Sequence, residues 1–453
     1  MEVTGTLARF VVDAKAEKIP PPVIHEATRS ILNWVGCAVG GCRHEAVDRA
    51  MAAFRPFAGP AQASVLGRRE RTDILNAALL NGISSHVLDF DDTHLRTVIH
   101  PAGPVASAVL ALAEYIPCTG REFLLAFILG VEVECRIGNS VTPAHYDAGW
   151  HITGTAGIFG AAAAAGKLLG LDDRQMAWAL GTAGTQSSGI REMLGTMCKG
   201  FHVGHAAQCG LASALLAQSN FTSSTTVLEG RRGFAAVMST ARNLSEITDG
   251  LGEHYEVSLN TYKPFACGIV AHPAIDGGIQ LRNEHGLKGD EIQSVHLKVA
   301  PYVLELMGKR TPQLGLEGKF SVFHSVAVAI RYGAAGPSEY TDDCVKEPGV
   351  IALRDRIEAE ADPALRTDEA YVRIKLKNGK ELEKHVEHAV GSLERPMSDK
   401  DLDAKFRGLA AGILTQEESD RLLDQCWKIE SLGDVSLLAK ATTPGHPFAA
   451  TTR

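Results

Sequence analysis

The sequence contains no pair of cysteines spaced as C-x-x-C. Its nine cysteines (Cys37, Cys42, Cys118, Cys135, Cys198, Cys209, Cys267, Cys344, Cys426) are odd in number and scattered. This argues against a disulfide framework and reads as the reduced, mostly buried thiols of a cytoplasmic protein. Long basic runs are also missing, and the net charge is -8. The usual footprint of a nucleic-acid binder is therefore absent. No stretch is apolar enough for a membrane span; "ITGTAGIFGAAAAAGKLLG" is rich in glycine and alanine and carries Lys167. The first twenty residues lack the basic-then-apolar order of a signal peptide. Neither H-E-x-x-H nor a Cys₂His₂ pattern occurs, so no metal is expected. Gly154, Gly157 and Gly160 recur every three residues, but no strand-like run precedes them. Close helix packing is expected there rather than a phosphate loop.

What is present is a long chain with ordinary core-forming material. Its 453 residues suggest two or three domains, and 45% apolar against 22% charged residues lets them bury large cores. Up to about residue 265 the apolar spacing is helical, as in "TDILNAALLNGISSHVLDF", which opens on the N-cap pair Thr72-Asp73. The texture then changes. Val295, Leu297 and Val299 alternate as in a strand. "AYVRIKLKNGKELEKHVEHA" reads as a hairpin around Asn378-Gly379. Between them lies a helical segment, "EGKFSVFHSVAVAIRYG". The expected fold is mainly α: a large all-helical domain from both chain ends, 1–265 and 395–453, with a smaller inserted α+β lid domain over 266–394.

Four polar clusters interrupt the small-residue helices. "HVLDFDDTHLRTVIHP" crowds Asp89, Asp91, Asp92 and His94 between His86 and His100. Taken alone it could be a capped polar turn, a metal site or an active-site loop. "HYDAGWHITGT" offers His145, Tyr146, Asp147 and His151 before a helix whose Thr153 and Thr155 could meet an anion; a capped helix start is the plain alternative. "MCKGFHVGHAAQCG" sets Lys199, His202 and His205 three residues apart at a helix start, where cations oppose the dipole. "YKPFACGIVAHPAIDG" places Lys263 and His272 at the proposed domain junction, though a lone lysine there is more often a surface residue. Together these clusters suit proton transfer on a polycarboxylate. Lysine fixes carboxylates, and histidine or aspartate moves protons.

These blocks resemble the MmgE/PrpD family, whose members include 2-methylcitrate dehydratase, cis-aconitate decarboxylase and iminodisuccinate epimerase. The resemblance rests on "NGISSHVLDFDDTH" with His100-Pro101, "GWHITGT", "CKGFHVGHAA", "YKPFACGIVAHPAIDG" and "KFSVFHSVA", in that order along nearly the whole chain. It implies a homodimer with the active site between its domains and no metal or organic cofactor. Carried over by position, it implies Asp89, His100, His151, Lys199 and Lys263 as catalytic residues, with Thr93 in the pocket. Tyr146, His202 and His272 match nearby motif positions as further substrate contacts. His324 stands where many relatives have Tyr, and His205 where many have Arg or Asn; both are expected to meet substrate. "HPAG" replaces the common His-Pro-Ser.

The expected reaction is dehydration of a citrate-like tricarboxylate, such as 2-methylcitrate or a longer alkylcitrate. Decarboxylation of cis-aconitate, epimerisation of a small dicarboxylate and a non-catalytic ligand-binding role are the alternatives. Within "HVLDFDDTHLRTVIHP", the opening stretch of the four polar clusters, Asp89, Thr93 and His100 are expected to face substrate. Asp91 and Asp92 are expected to shape the loop.

Overall fold

Asp73 accepts hydrogen bonds from the backbone N–H groups of Leu75 and Asn76 and so starts the helix Ile74–His86. That helix crosses Cys198–Gln218 at backbone contact. A Cβ on Gly82 would lie 2.5 Å from the Gly204 Cα, and one on Gly204 would lie 2.2 Å from the Leu79 carbonyl oxygen. Only glycine allows this approach, which sets the last turn of one helix beside the first turn of the other. Ile152–Leu168 packs on Gly120–Val141 in the same way, since a Cβ on Gly160 would meet the Gly130 oxygen at 2.7 Å. The glycine triplet is therefore packing surface, as expected from the sequence.

The computed structural model describes residues 2–445, and the fold is mainly α. Among these residues no helix is long and apolar enough to cross a membrane. One hydrophobic core joins the helices up to residue 257 with Met397, Leu402, Phe406 and Leu422 from the C-terminal helices. A second core is built from residues 265–382 and reaches out to Cys37, Phe90 and Leu409. Phe90 thus plugs the opening stretch into the second core.

The second core holds a four-stranded sheet of Ile292–Val299, Ile357–Ala361, Ala370–Leu376 and Glu381–Val386. Ile292–Val299 lies between Ile357–Ala361, its parallel neighbour, and Ala370–Leu376, its antiparallel one. Val295, Leu297 and Val299 point inward. The hairpin closes around Asn378 and Gly379, whose φ is +88°. Asp92–His94 pairs antiparallel with Asn260–Tyr262, a short ladder that draws the opening stretch to the segment carrying Lys263.

Candidate active site

The helix ends at His86 and the short strand starts at Asp92, leaving Asp89 on the turn between them. Its φ is +50°, the left-handed region that costs a residue with a Cβ. This backbone aims the carboxylate at two lysines. Lys199 Nζ lies 2.8 Å from Oδ2, and Lys263 Nζ lies 2.5 Å from Oδ1. All three side chains are buried. Burial alone would raise the Asp89 pKa, but Lys199 and Lys263 hold it well below the usual carboxylate range. For Lys199 burial wins and the pKa falls; for Lys263 the attraction of Asp89 and Asp91 outweighs burial and it rises.

Asp91 lies between two imidazoles. Its Oδ2 is 2.7 Å from His86 Nδ1 and its Oδ1 is 3.4 Å from His100 Nδ1. His100 Nδ1 is also 2.8 Å from the Asp92 carbonyl oxygen. A carbonyl can only accept, so Nδ1 carries the proton and Nε2 is the basic nitrogen. The ligating atoms of His86, Asp91 and His100 lie within 4.8 Å of one another, close enough to hold a metal ion. Asp91 hydrogen-bonds His86 and lies at ion-pair distance from His100, an arrangement that orients imidazoles. Asp91 therefore does more than shape a loop. Asp92 is the residue that fits that expectation: it accepts from Ser30, Asn260 and the Ala102 N–H. Burial and Asp91 push its pKa up to about 7.

His151 is the N-cap of Ile152–Leu168, and its Nδ1 is 3.0 Å from His202 Nδ1. One nitrogen must donate and the other accept. Burial and Lys199 hold His151 well below the usual imidazole value, and the positive helix end acts in the same direction. Burial, His205 and Lys199 bring His202 to about 4, and burial brings His86 to about 4 despite Asp91. In carbon-13 NMR of histidine-labelled protein, the Cε1 signals of His86, His151 and His202 are expected to stay at neutral positions from pH 7.5 down to pH 5.5. A titration of any of them near 6.5 would contradict this electrostatic account.

Asp89, Thr93, His100, Tyr146, His151, Lys199 and Lys263 line one cleft. Leu194, Leu306 and Phe320 form its apolar side. Arg191 lies over the Tyr146 ring at 4.2 Å and pairs with Glu305 at 3.2 Å, bridging the two cores at the rim.

Four expected substrate contacts, His202, His205, His272 and His324, stand apart from the cleft. His205 is six residues after Lys199, about 240° around the helix, and its Nε2 faces Cys209 Sγ at 3.3 Å. His272 packs edge-on against Phe265 and lines a neighbouring cleft. His324 is fully buried, its Nε2 donating to the Glu339 carbonyl at 2.8 Å and its ring edge-on to Tyr340. His202 supports His151 from behind rather than lining the cleft. Thr153 and Thr155 are also taken internally: Thr153 accepts the His100 N–H, and Thr155 Oγ1 is 2.7 Å from His145 Nε2. Both threonines are fully buried, and the Thr155 hydroxyl hydrogen is spent on His145.

Four residues beyond the expected set belong to this region: His86, Asp91, Lys319 and Lys405. With Lys199 and Lys263, four lysines surround two strongly ionised carboxylates, Asp89 and Asp91. A chain of net charge -8 thus gathers positive charge at one buried point.

The family model for the MmgE/PrpD N-terminal domain matches residues 5–247, and that for the MmgE/PrpD C-terminal domain matches residues 265–429. The chain belongs to the MmgE/PrpD family. Similar proteins include the cis-aconitate decarboxylase of Aspergillus terreus, 26% identical over 96% of this chain and 95% of its own length. The Mus musculus cis-aconitate decarboxylase is 26% identical over 97% and 93%, and the Homo sapiens one 26% over 96% and 93%. The MmgE/PrpD C-terminal match runs past the sheet into helices that pack in the first core. Both MmgE/PrpD domains supply the cleft: Asp89, His100, His151 and Lys199 fall before residue 247, while Gly268, Ile269 and Phe320 fall after residue 265. Lys263 lies in the short interval between the two matches.

Proposed function

We propose that the protein is a lyase for a small polycarboxylate, with decarboxylation of cis-aconitate or a close analogue as its reaction. The observation that carries this reading is the excess of buried lysines over carboxylates in a cleft that also holds the imidazoles of His100 and His151. Lys199 and Lys263 would fix substrate carboxylates, with Asp89 holding both ammoniums in place. Loss of carbon dioxide breaks a carbon–carbon bond and leaves its electron pair delocalised over the remaining unsaturated acid. Fixed cations stabilise that charge in a site shielded from water. A proton must then reach carbon. An arriving polyanion raises the proton affinity of nearby imidazoles, which makes His151 or His100 the donor.

The cis-aconitate decarboxylases matched over nearly their whole length support this reaction ahead of the dehydration expected from the sequence. Dehydration of a citrate-like substrate is the second reading. It is favoured by His100, whose Nε2 is a basic nitrogen oriented through Nδ1, as abstraction of a proton beside a carboxylate requires.

Purified protein incubated with cis-aconitate is expected to release carbon dioxide in step with substrate loss. Parallel incubations with citrate and 2-methylcitrate follow alkene absorbance in the ultraviolet. Absorbance from the citrates without carbon dioxide from cis-aconitate would move the assignment to dehydration. Silence of the folded protein in every incubation would overturn both readings.

A further inference from the structure

Lys319 and Lys405 are held in the same unusual way. Lys319, just before the helix Val322–Tyr332, donates to the carbonyl of Leu88 at 2.6 Å and of Ala266 at 2.7 Å. Lys405, on the helix Asp399–Ala410, donates to the carbonyl of Phe90 at 2.6 Å and of Lys263 at 2.8 Å. Each ammonium ties one carbonyl beside Asp89 to one carbonyl at or near Lys263. Leu88 and Phe90 are the immediate neighbours of Asp89 on either side, and Asp89 is the residue with the left-handed backbone. The two ties come from different places: Lys319 from the second core's segment, Lys405 from a helix of the first. Each ammonium also lies over an aromatic ring, Lys319 over Tyr340 at 4.8 Å and Lys405 over Phe90 at 4.0 Å.

Such placement is costly for an ammonium unless something demands it. Burial pushes both lysines down to about 8, still protonated at neutral pH. Among the described residues neither contacts a carboxylate, and every hydrogen bond each of them makes goes to a main-chain carbonyl. Backbone carbonyls can be satisfied by neutral groups. What two lysines add is reach: each spans two chain segments that no common helix or strand joins at residue 89.

We propose that Lys319 and Lys405 are positioning residues that clamp the Asp89 turn to the Lys263 segment from both sides, so that one carboxylate meets Lys199 and Lys263 together. They act through Asp89 and need not touch substrate. The activity arm of the test rests on the reaction proposed above; the structural arm does not.

The test uses full-length Lys319→Met and Lys405→Met, each alone and combined with Asp89→Asn. Methionine keeps the apolar stem and removes the donor. On cis-aconitate, each single Met variant is expected to lower kcat about 100-fold with a smaller change in KM, the scale of a misplaced catalytic group. Neither is expected to lower kcat further once Asp89 is already Asn, because residues acting through one group are not additive. Lys405→Arg, which retains a charged donor, is expected to regain most of the loss. Crystal structures of the Met variants are expected to show residue 89 out of the left-handed region, or its contact with Lys199 broken. Should Lys405→Met not fold, Lys405→Gln, a neutral donor, takes its place in every measurement. Additive losses in the cycle would overturn the proposal as a merely structural effect. Unchanged φ at Asp89 with both ion pairs intact in the variants overturns it whatever the substrate. If the wild-type protein turns over no polycarboxylate, the proposed reaction fails, and the structures alone decide the role of the lysines.

Discussion

Asp89→Asn is expected to cost about 3–5 kcal/mol of stability at pH 7, read from urea denaturation, the range for breaking a buried charge group by removing one partner. Asparagine matches aspartate in shape and tolerates the left-handed backbone better than most residues, so the loss isolates the charge. Two buried ammoniums, Lys199 and Lys263, would face each other without their shared counter-ion. The sign of the pH response follows. A buried lysine without its partner has a folded pKa below its unfolded value, so the folded state binds fewer protons. The deficit should therefore shrink as the pH rises from 7 towards 9. Adding Lys263→Met should recover much of the loss, since replacing a buried ion group by apolar atoms is often neutral or better. Activity should stay measurable but far below wild type in both proteins. An Asp89→Asn protein as stable as wild type, with a flat pH response, would mean that the three groups are not coupled as described.

Lys199→Met should give the opposite balance. Asp89 keeps Lys263, and a cation whose pKa burial has already lowered leaves the interior. The melting temperature is expected to hold within a few degrees. Turnover of cis-aconitate is expected to fall by about 10²–10³-fold, as when a single preorganised donor to developing charge is removed. Calorimetric binding of propane-1,2,3-tricarboxylate should weaken in parallel, because the lysine serves ground and transition states alike. Full activity in this variant would remove the cleft from consideration as the active site.

The sequence is unevenly legible, and the reasons are physical. The helices were readable because their caps and apolar spacing are local, as at Asp73. The hairpin at Asn378-Gly379 was readable because its turn demands particular residues. The strand Ile357–Ala361 was not: "IEAEA" has little strand character, and it pairs in parallel with residues about sixty positions earlier. In the site, Asp89, His100, His151, Lys199 and Lys263 stood out through their motif blocks, and the fold brings them together. His324 drew attention as a departure from relatives, yet Lys319 in the same block is the residue that reaches the Asp89 turn. Lys405 carried no local signal. In "DAKFRG" it reads as a solvated helix lysine, and only a contact spanning 315 residues to Phe90 shows otherwise. Asp91 was visible but misjudged, since two adjacent aspartates look alike until their partners are known.

The lysine clamp also bears on the birth of the molecule. Synthesis runs from the N-terminus, so Asp89 and Lys199 leave the ribosome long before Lys263, Lys319 and Lys405. The first helices can fold around Gly82 and Gly204 early, because their contacts are made within the emerged chain. The lysine cluster around Asp89 cannot close until Lys405 arrives, the last of these residues in chain order. A chain stalled or cut short of that residue would carry a folded helical body with the carbonyls of Phe90 and Lys263 unclaimed. The pocket is thus the last part of this region to be completed, well after the helices that carry its N-terminal residues.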